Sequence, residues 1–158
     1  SNIYKNNMTE FYNITNQIRL ALEAEPFTNT VSYGLIDRVD LEKLTIFPLA
    51  HMITNSSVIT EQTISINMSI LFADVLDVNK KENTDEFTWN DNEQDILNTQ
   101  MAVAARLLAK LKRGQLYKDK YQIEGDGSIE PFYERFENGL VGWVLTMDVL
   151  VPNTMTAC

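Results

Sequence analysis

From Gln62 to Asp74 the chain reads QTISINMSILFAD. Ile64, Ile66, Met68, Ile70 and Phe72 alternate with Thr63, Ser65, Asn67 and Ser69, and a two-residue period sends the two sets to opposite faces of a strand. The spacing predicts a long strand reaching about Leu76, with its apolar row on a core and its small polar row on the other side. Before it, NTVSYGLID (29–37) and LTIFPLAHMI (44–53) gather Val, Tyr, Ile and Phe and read as two further strands. Pro48 donates no ladder hydrogen bond, which places it at a strand start, an edge or a bulge. TNSSVITEQ (54–62) reads as a polar connection, so that 44–53 and the alternating strand form an antiparallel hairpin with a longer loop.

A helical period appears twice. Phe11, Ile14, Ile18, Ala21 and Leu22 recur at three and four residues, with Thr9 as N-cap and Pro26 barring continuation. Ile96, Leu97, Met101, Ala104, Leu108 and Leu111 trace a second stripe, over 91–113, behind a capping box made by Asn90 and Glu93. Glu93 and Asp95 at its start, Lys110, Lys112 and Arg113 at its end, and Gly114 just beyond agree with the helix dipole and a C-terminal cap. After a Gly-Asp-Gly turn signal at 125–127, a segment around Phe132 to Phe136 and then LVGWVLTMDVLV (140–151) read as strands. In the last strand Trp143, Leu145, Met147, Val149 and Val151 share one face.

Helix, three strands, helix and two strands make an α+β fold, a mainly antiparallel sheet with one or two helices packed on one face. A chain of 158 residues is the size of one domain, with a core that needs no staples. Within it, DVNKKENTDEFTWNDNEQD (77–95) carries seven acids against two lysines. That composition predicts a mobile acidic excursion, with Phe87 and Trp89 as anchors and Lys80 and Lys81 as charge partners for a neighbour.

Composition and charge narrow the chemistry. Hydrophobic residues are 44% of the chain and charged residues 22%, and no apolar run approaches the roughly 20 residues that span a bilayer. The start SNIYKNNMTEFYN lacks a basic region followed by an apolar block, so a cytosolic origin is expected, with Ser1 left by removal of an initiator Met. Cys158 is the single cysteine, which excludes an intrachain disulfide and a cysteine-rich zinc site. A net charge of -9 opposes general binding of nucleic acid, since phosphate recognition needs a basic footprint.

Enzyme signals are few. His51 is the single histidine, placed in an apolar strand with no Ser or Cys partner in any nucleophile motif, and reads as a packed structural residue. Asp74 and Asp77 at a strand end read as solvation and turn formation. The Gly-Asp-Gly stretch is too short for a phosphate loop, and the basic cluster at 110–113 is explained by the helix terminus. No catalytic residue, cofactor or metal site is expected, and the chain does not read as an enzyme.

FPLAH (47–51), ISINMSILFADVLD (64–77), the helix ending KLKRGQLY and the closing stretch PFYERFENGLVGWVLTMDVLVPNTMTAC resemble, in that order, small structural proteins of tailed bacteriophages. The element order over roughly 9–158 is similar to the tail-terminator or tail-completion family. The resemblance implies a ring-forming subunit, commonly a hexamer, at the head-proximal end of a tail or in the neck. Its partners would be copies of itself, the portal or connector, and tail or neck proteins. Viral DNA would pass through the lumen without specific binding, and the protein, made in the bacterial host cytoplasm, would reside in the virion with no membrane contact. In such a ring the row of Ser65, Asn67 and Ser69 would pack on the next subunit or line the conduit, where an acidic, neutral-faced protein repels phosphate weakly. The charge also fits an acidic adaptor or inhibitor that binds a host protein as a monomer.

Overall fold

The alternating stretch forms the middle of a sheet. The structure, a computed structural model, describes residues 10–36, 39, 43–76, 92–113, 121–135 and 139–153. Its elements are α1 (Glu10–Glu23), β1 (Thr30–Tyr33), a 3-10 turn (Leu44–Ile46), β2 (Leu49–Ile59), β3 (Thr63–Val75), α2 (Glu93–Arg113), β4 (Gln122–Arg135) and β5 (Leu140–Pro152). The strands lie in the order β1-β2-β3-β5-β4. All neighbours are antiparallel except β1 and β2, which are parallel. The expected α+β class is therefore the one the chain adopts. The expected caps at Thr9, Asn90 and Gly114 lie outside the described residues.

Both helices cover one face. Ile14, Ile18 and Leu22 of α1 and Val103, Ala104, Leu107 and Leu111 of α2 share a core with Ile64, Ile66, Met68, Ile70 and Phe72 of β3 and with Leu145, Met147, Val149 and Val151 of β5. The even-numbered row of β3 is thus the greasy row of the sequence, and Met68, Ile70 and Phe72 expose no surface. Burying each such side chain contributes about 1.5–3 kcal/mol before conformational entropy is set against it. Trp143 sits at the rim of this core, half-buried, and its indole Nε1 donates to the Leu97 carbonyl of α2 at 2.8 Å.

On the opposite face the odd-numbered row of β3 changes character at Leu71. Ile36, Val39, Ile46 and Phe47, from the chain between β1 and β2, fold over Leu49, Leu71, Ala73, Leu140 and Phe132 and build a second small core. This cover reaches only one end of the sheet. The other end, from Thr63 to Asn67, carries no helix or segment among the described residues, and Ser69 at the boundary is buried.

Two local expectations are corrected. The stretch 54–62 is strand as far as Ile59, and the reversal takes only Thr60, Glu61 and Gln62, closed by the Thr60 amide donating to the Thr63 carbonyl at 2.8 Å. Pairing with β3 supplies backbone partners that overrule a merely polar composition. The Gly-Asp-Gly stretch is likewise a bulge inside β4, with register shifting between Glu124 and Ser128 and Gly125 at φ 69°. α2 packs closely over it, so that position 127 has no room for a side chain: a Cβ at Gly127 would lie 2.8 Å from Leu108 Cδ1. Pro48, by contrast, lies immediately before β2, in one of the places its missing N–H allows.

The helices are tied to each other by a buried carboxylate. Glu25, 5% exposed just beyond α1, accepts from Arg106 Nη2 of α2 at 2.6 Å and from Nε at 3.1 Å, while the guanidinium lies 5.8 Å from the Phe27 ring. Removing one partner of such a pair strands a charge, whereas removing both does not. Arg106→Ala is therefore expected to lower the thermal midpoint, and Glu25→Gln added to it to restore part of the loss. A double mutant less stable than Arg106→Ala alone would contradict this.

Candidate functional site

The uncovered end of the sheet presents a connected network of small polar side chains. A bulge in β2 between Thr54 and Ser56 turns Asn55 toward the odd-numbered row of β3. Asn55 Nδ2 donates to Asn67 Oδ1 at 2.8 Å and to Ser69 Oγ at 2.7 Å. Asn67 Nδ2 donates in turn to Asp148 Oδ1 of β5 at 2.9 Å, and Ser69 and Thr146 hydroxyls lie 3.2 Å apart. Further along, Ser65 Oγ is 3.5 Å from Glu124 Oε2 of β4. These contacts follow from register, since Asn67 is opposite Asp148, Ser69 opposite Thr146 and Glu124 opposite Asp148.

Network order has an energetic consequence. Side chains already held by neighbours lose little rotamer freedom when a second surface covers them, and each polar group retains its partner. The face is neutral along β2 and β3 and acidic along β4, where Glu124 and Glu130 are exposed. At the register positions of this face, Ser56, Val58, Thr63, Ser65, Asn67, Ser69, Thr146, Asp148, Leu150, Gln122, Glu124, Ser128 and Glu130, no residue is basic. Val58, opposite Ser65, is 64% exposed and supplies an apolar spot beside the network.

Of the interface residues expected from the sequence, Ser65, Asn67 and Ser69 come together here. Lys80, Lys81, Phe87 and Trp89 lie outside the described residues, as do residues 77–91 as a whole. Asn55, Asp148, Thr146 and Glu124 belong to the network and were not singled out by sequence reasoning. Asp148 had a usable signal, being the one charge in an otherwise apolar strand. Asn55 had none, because it sits in a stretch that reads as a connection.

His51 gains a partner that no local motif announces. Parallel pairing sets Ser32 beside it, and His51 Nδ1 lies 2.6 Å from Ser32 Oγ while Nε2 lies 2.7 Å from the Gly34 carbonyl. A carbonyl only accepts, so Nε2 carries the proton, Nδ1 is bare in the neutral ring, and the Ser32 hydroxyl donates to it. Both ring nitrogens are thereby used in clamping β1 to β2, and the imidazole exposes no surface. Burial lowers its pKa from the ordinary 6.5, with the Gly34 hydrogen bond opposing. A lowered folded-state pKa means that the contribution of the neutral ring is complete above pH 6.5 and is lost as pH falls through the folded value. The thermal midpoint is expected to drop between pH 7 and pH 5, and His51→Gln to flatten that part of the profile. An identical slope in the variant would remove His51 as its source.

Asp74, on the helix side at the end of β3, has its pKa raised by burial, against the Val75 amide that donates to Oδ1 at 2.8 Å. Asp77 lies outside the described residues. Among the described residues no three His, Cys, Asp or Glu side chains converge on a metal-sized site, and no helix is long and apolar enough to cross a membrane. No family model matches the chain, and no curated protein is significantly similar to it.

Proposed function

We propose that this chain is a structural subunit of a tailed-bacteriophage particle that closes with copies of itself into a ring, in the neck or at the head-proximal end of the tail. The observation that carries the reading is the hydrogen-bonded, cation-free face built on Ser65, Asn67 and Ser69. Its β2 and β3 part suits contact with a second copy of an acidic chain, because Ser65, Asn67 and Ser69 bring no charge to the seam and keep their hydrogen-bond partners when water is removed, with the carboxylates of Asp148 and Glu124 lying toward β5 and β4. Where its acidic flank meets a conduit, carboxylates repel the phosphates of passing DNA instead of gripping them. Head-to-tail contacts of this kind close into a ring when the rotation per subunit divides a full turn. The element order that resembles tail terminators supports the same reading and gives a hexamer as the expected copy number.

Native mass spectrometry tests it. The expected species is a closed multiple of the 18.1 kDa chain, with six copies favoured. A monomer at tens of micromolar chain would overturn the ring. That result would instead favour the second reading, an acidic adaptor binding a host protein, for which the exposed carboxylates of Glu124, Asp126 and Glu130 along edge strand β4 are the supporting feature.

A further inference from the structure

A cleft of about 460 Å³ runs between α1 and the outer edge of β1, lined by Tyr12, Asn16, Arg19, Val31, Tyr33 and Met52 among others. Its floor is apolar, and its walls are aromatic and polar. Tyr33 is held in place by its hydroxyl, 3.1 Å from Thr54 Oγ1, and by an edge-on contact with Phe11. Tyr12 is 73% exposed. Arg19 donates from Nη2 to Asn16 Oδ1 at 2.7 Å and makes no ion pair with a carboxylate among the described residues, although the chain carries 22 acids.

Among the described residues, the strand beside the cleft is unpaired on its outer side. β1 ends the sheet, and the Thr30 and Gly34 amides turn inward to the Pro48 and Met52 carbonyls at 3.2 and 3.0 Å. Alternation along a strand then directs the Val31 and Tyr33 amides outward. A free strand edge flanked by a helix, with a groove between them, is the arrangement that takes an extended peptide as an added strand: the backbone supplies affinity and alternate side chains enter the groove.

We propose that this cleft binds an extended acidic peptide bearing aromatic side chains, and that its occupant in the assembled protein is the 82–91 stretch of a second copy; the assembled form rests on the ring reading above. That stretch, ENTDEFTWND, has four acids and no base, complementary to Arg19. Phe87 and Trp89 are two residues apart, the spacing that sets both on one face of an added strand and so into the groove. Tyr, Trp and Arg in one pocket are the residue types that carry most of the energy of protein contacts, and a guanidinium beside an indole adds cation–π attraction.

For Trp89, reach favours a second copy over the same chain. Asn92, at the start of α2, is fixed to the end of β3 by Nδ2 donating to the Val75 carbonyl at 3.3 Å. Trp89 is three residues away, so it extends at most roughly 11 Å from there. An added strand beside β1 lies three strand spacings from β3, roughly 14 Å. It lies also three to five residues back along the strands, since Val31 aligns through Ala50 with Phe72 and Tyr33 through Met52 with Ile70. The separation is then roughly 17–22 Å.

The experiment replaces Trp89 with the photo-cross-linker p-benzoylphenylalanine in the full chain, mixes ¹⁴N and ¹⁵N protein, irradiates, and maps the products by mass spectrometry, with native mass recorded on the same samples. Cross-links from position 89 of one isotope to residues 12–19 or 31–33 of the other are expected, and Arg19→Glu should cut their yield at least tenfold. A second measurement adds fluorescein-labelled ENTDEFTWNDN peptide to the full-length Trp89→Ala protein, where saturable binding lost in Arg19→Glu is expected. Rings whose cross-links fall elsewhere, or only within one isotope, overturn the inference while leaving the ring reading intact. A monomer that binds the peptide through Arg19 overturns the ring and upholds the ligand class of the cleft. Absence of both cross-links and peptide binding overturns the inference whatever the native mass.

Discussion

Gly142→Ala is expected to destabilise the fold by at least about 3 kcal/mol, the upper end of what overpacking costs. Gly142 lies opposite Ala73 where the two central strands β3 and β5 meet. A Cβ added there would stand 1.7 Å from the Phe72 carbonyl oxygen and 2.8 Å from its carbon, with the Phe132 ring 3.0 Å away on Cζ. Two of those atoms are backbone, so no rotamer change relieves the overlap, and the strands themselves must separate. Separation would open both cores at once, since Phe72 belongs to the one under the helices and Ala73 and Phe132 to the smaller one behind. For a domain of this size the loss corresponds to roughly 6–12 °C in thermal midpoint. Circular dichroism melts of wild type and variant decide it, and a midpoint within about 2 °C of wild type would mean that the strands are not so closely apposed.

The largest expected effect on assembly comes from lysines on the neutral face. In Ser65→Lys combined with Val58→Lys, two cations enter adjacent positions opposite each other in β2 and β3. Val58 is largely exposed and Ser65 partly buried, and neither anchors the Asn55–Asn67–Asp148 chain, so the folded subunit should keep its stability to within about 1 kcal/mol. A covered seam, by contrast, has to desolvate both ammonium groups in every subunit, and only the one at 65 has a carboxylate, Glu124, within reach, so the cost is several kcal/mol per contact. If the proposed ring forms, the expected result is rings of wild type and monomer of the double variant by native mass spectrometry at equal chain concentration, together with an unchanged melt of dilute protein. Rings of normal mass in the double variant would show that this face is simply solvated and would sink the functional reading built on it.

Much of the architecture was legible because local chemistry and global packing agree in the long elements. The two-residue period of β3 divides core from surface from Thr63 to Met68, beyond which both rows are buried as far as Ala73, and the apolar spacing of α1 identifies Ile14, Ile18 and Leu22, which are buried. In α2 the stripe holds at Ile96, Ala104 and Leu111, which are buried, and at Leu97 and Leu108, which pack against the core, but not at one position. Met101, assigned to it, is 43% exposed, while Gln100, Val103 and Leu107 are buried, because α2 packs against α1 as well as the sheet and so buries a wider arc than one stripe. Trp143 lies on the side of β5 that the alternation gives it, and its position at the rim is set by where the backbone of α2 passes.

Of the candidate site, the sequence itself determined the residue types and the face. A strand that alternates Thr, Ser, Asn and Ser with Ile, Met and Phe has one half-buried side and one polar side in any antiparallel sheet, because the pleat permits nothing else. Tertiary structure decided what that polar side does. Cross-strand register, which depends on partners up to 81 residues distant, wired Asn67 to Asp148, and the β2 bulge turned Asn55 into the same network. Parallel pairing of β1 with β2 gave His51 its Ser32, nineteen residues earlier in the chain. The length of the segment folded over Leu71 and Ala73 fixed where the covered face ends and the open one begins. Periodicity is a property of one strand, whereas contacts of this kind are properties of a pair, and the free energy that selects them comes from packing the whole sheet against its helices.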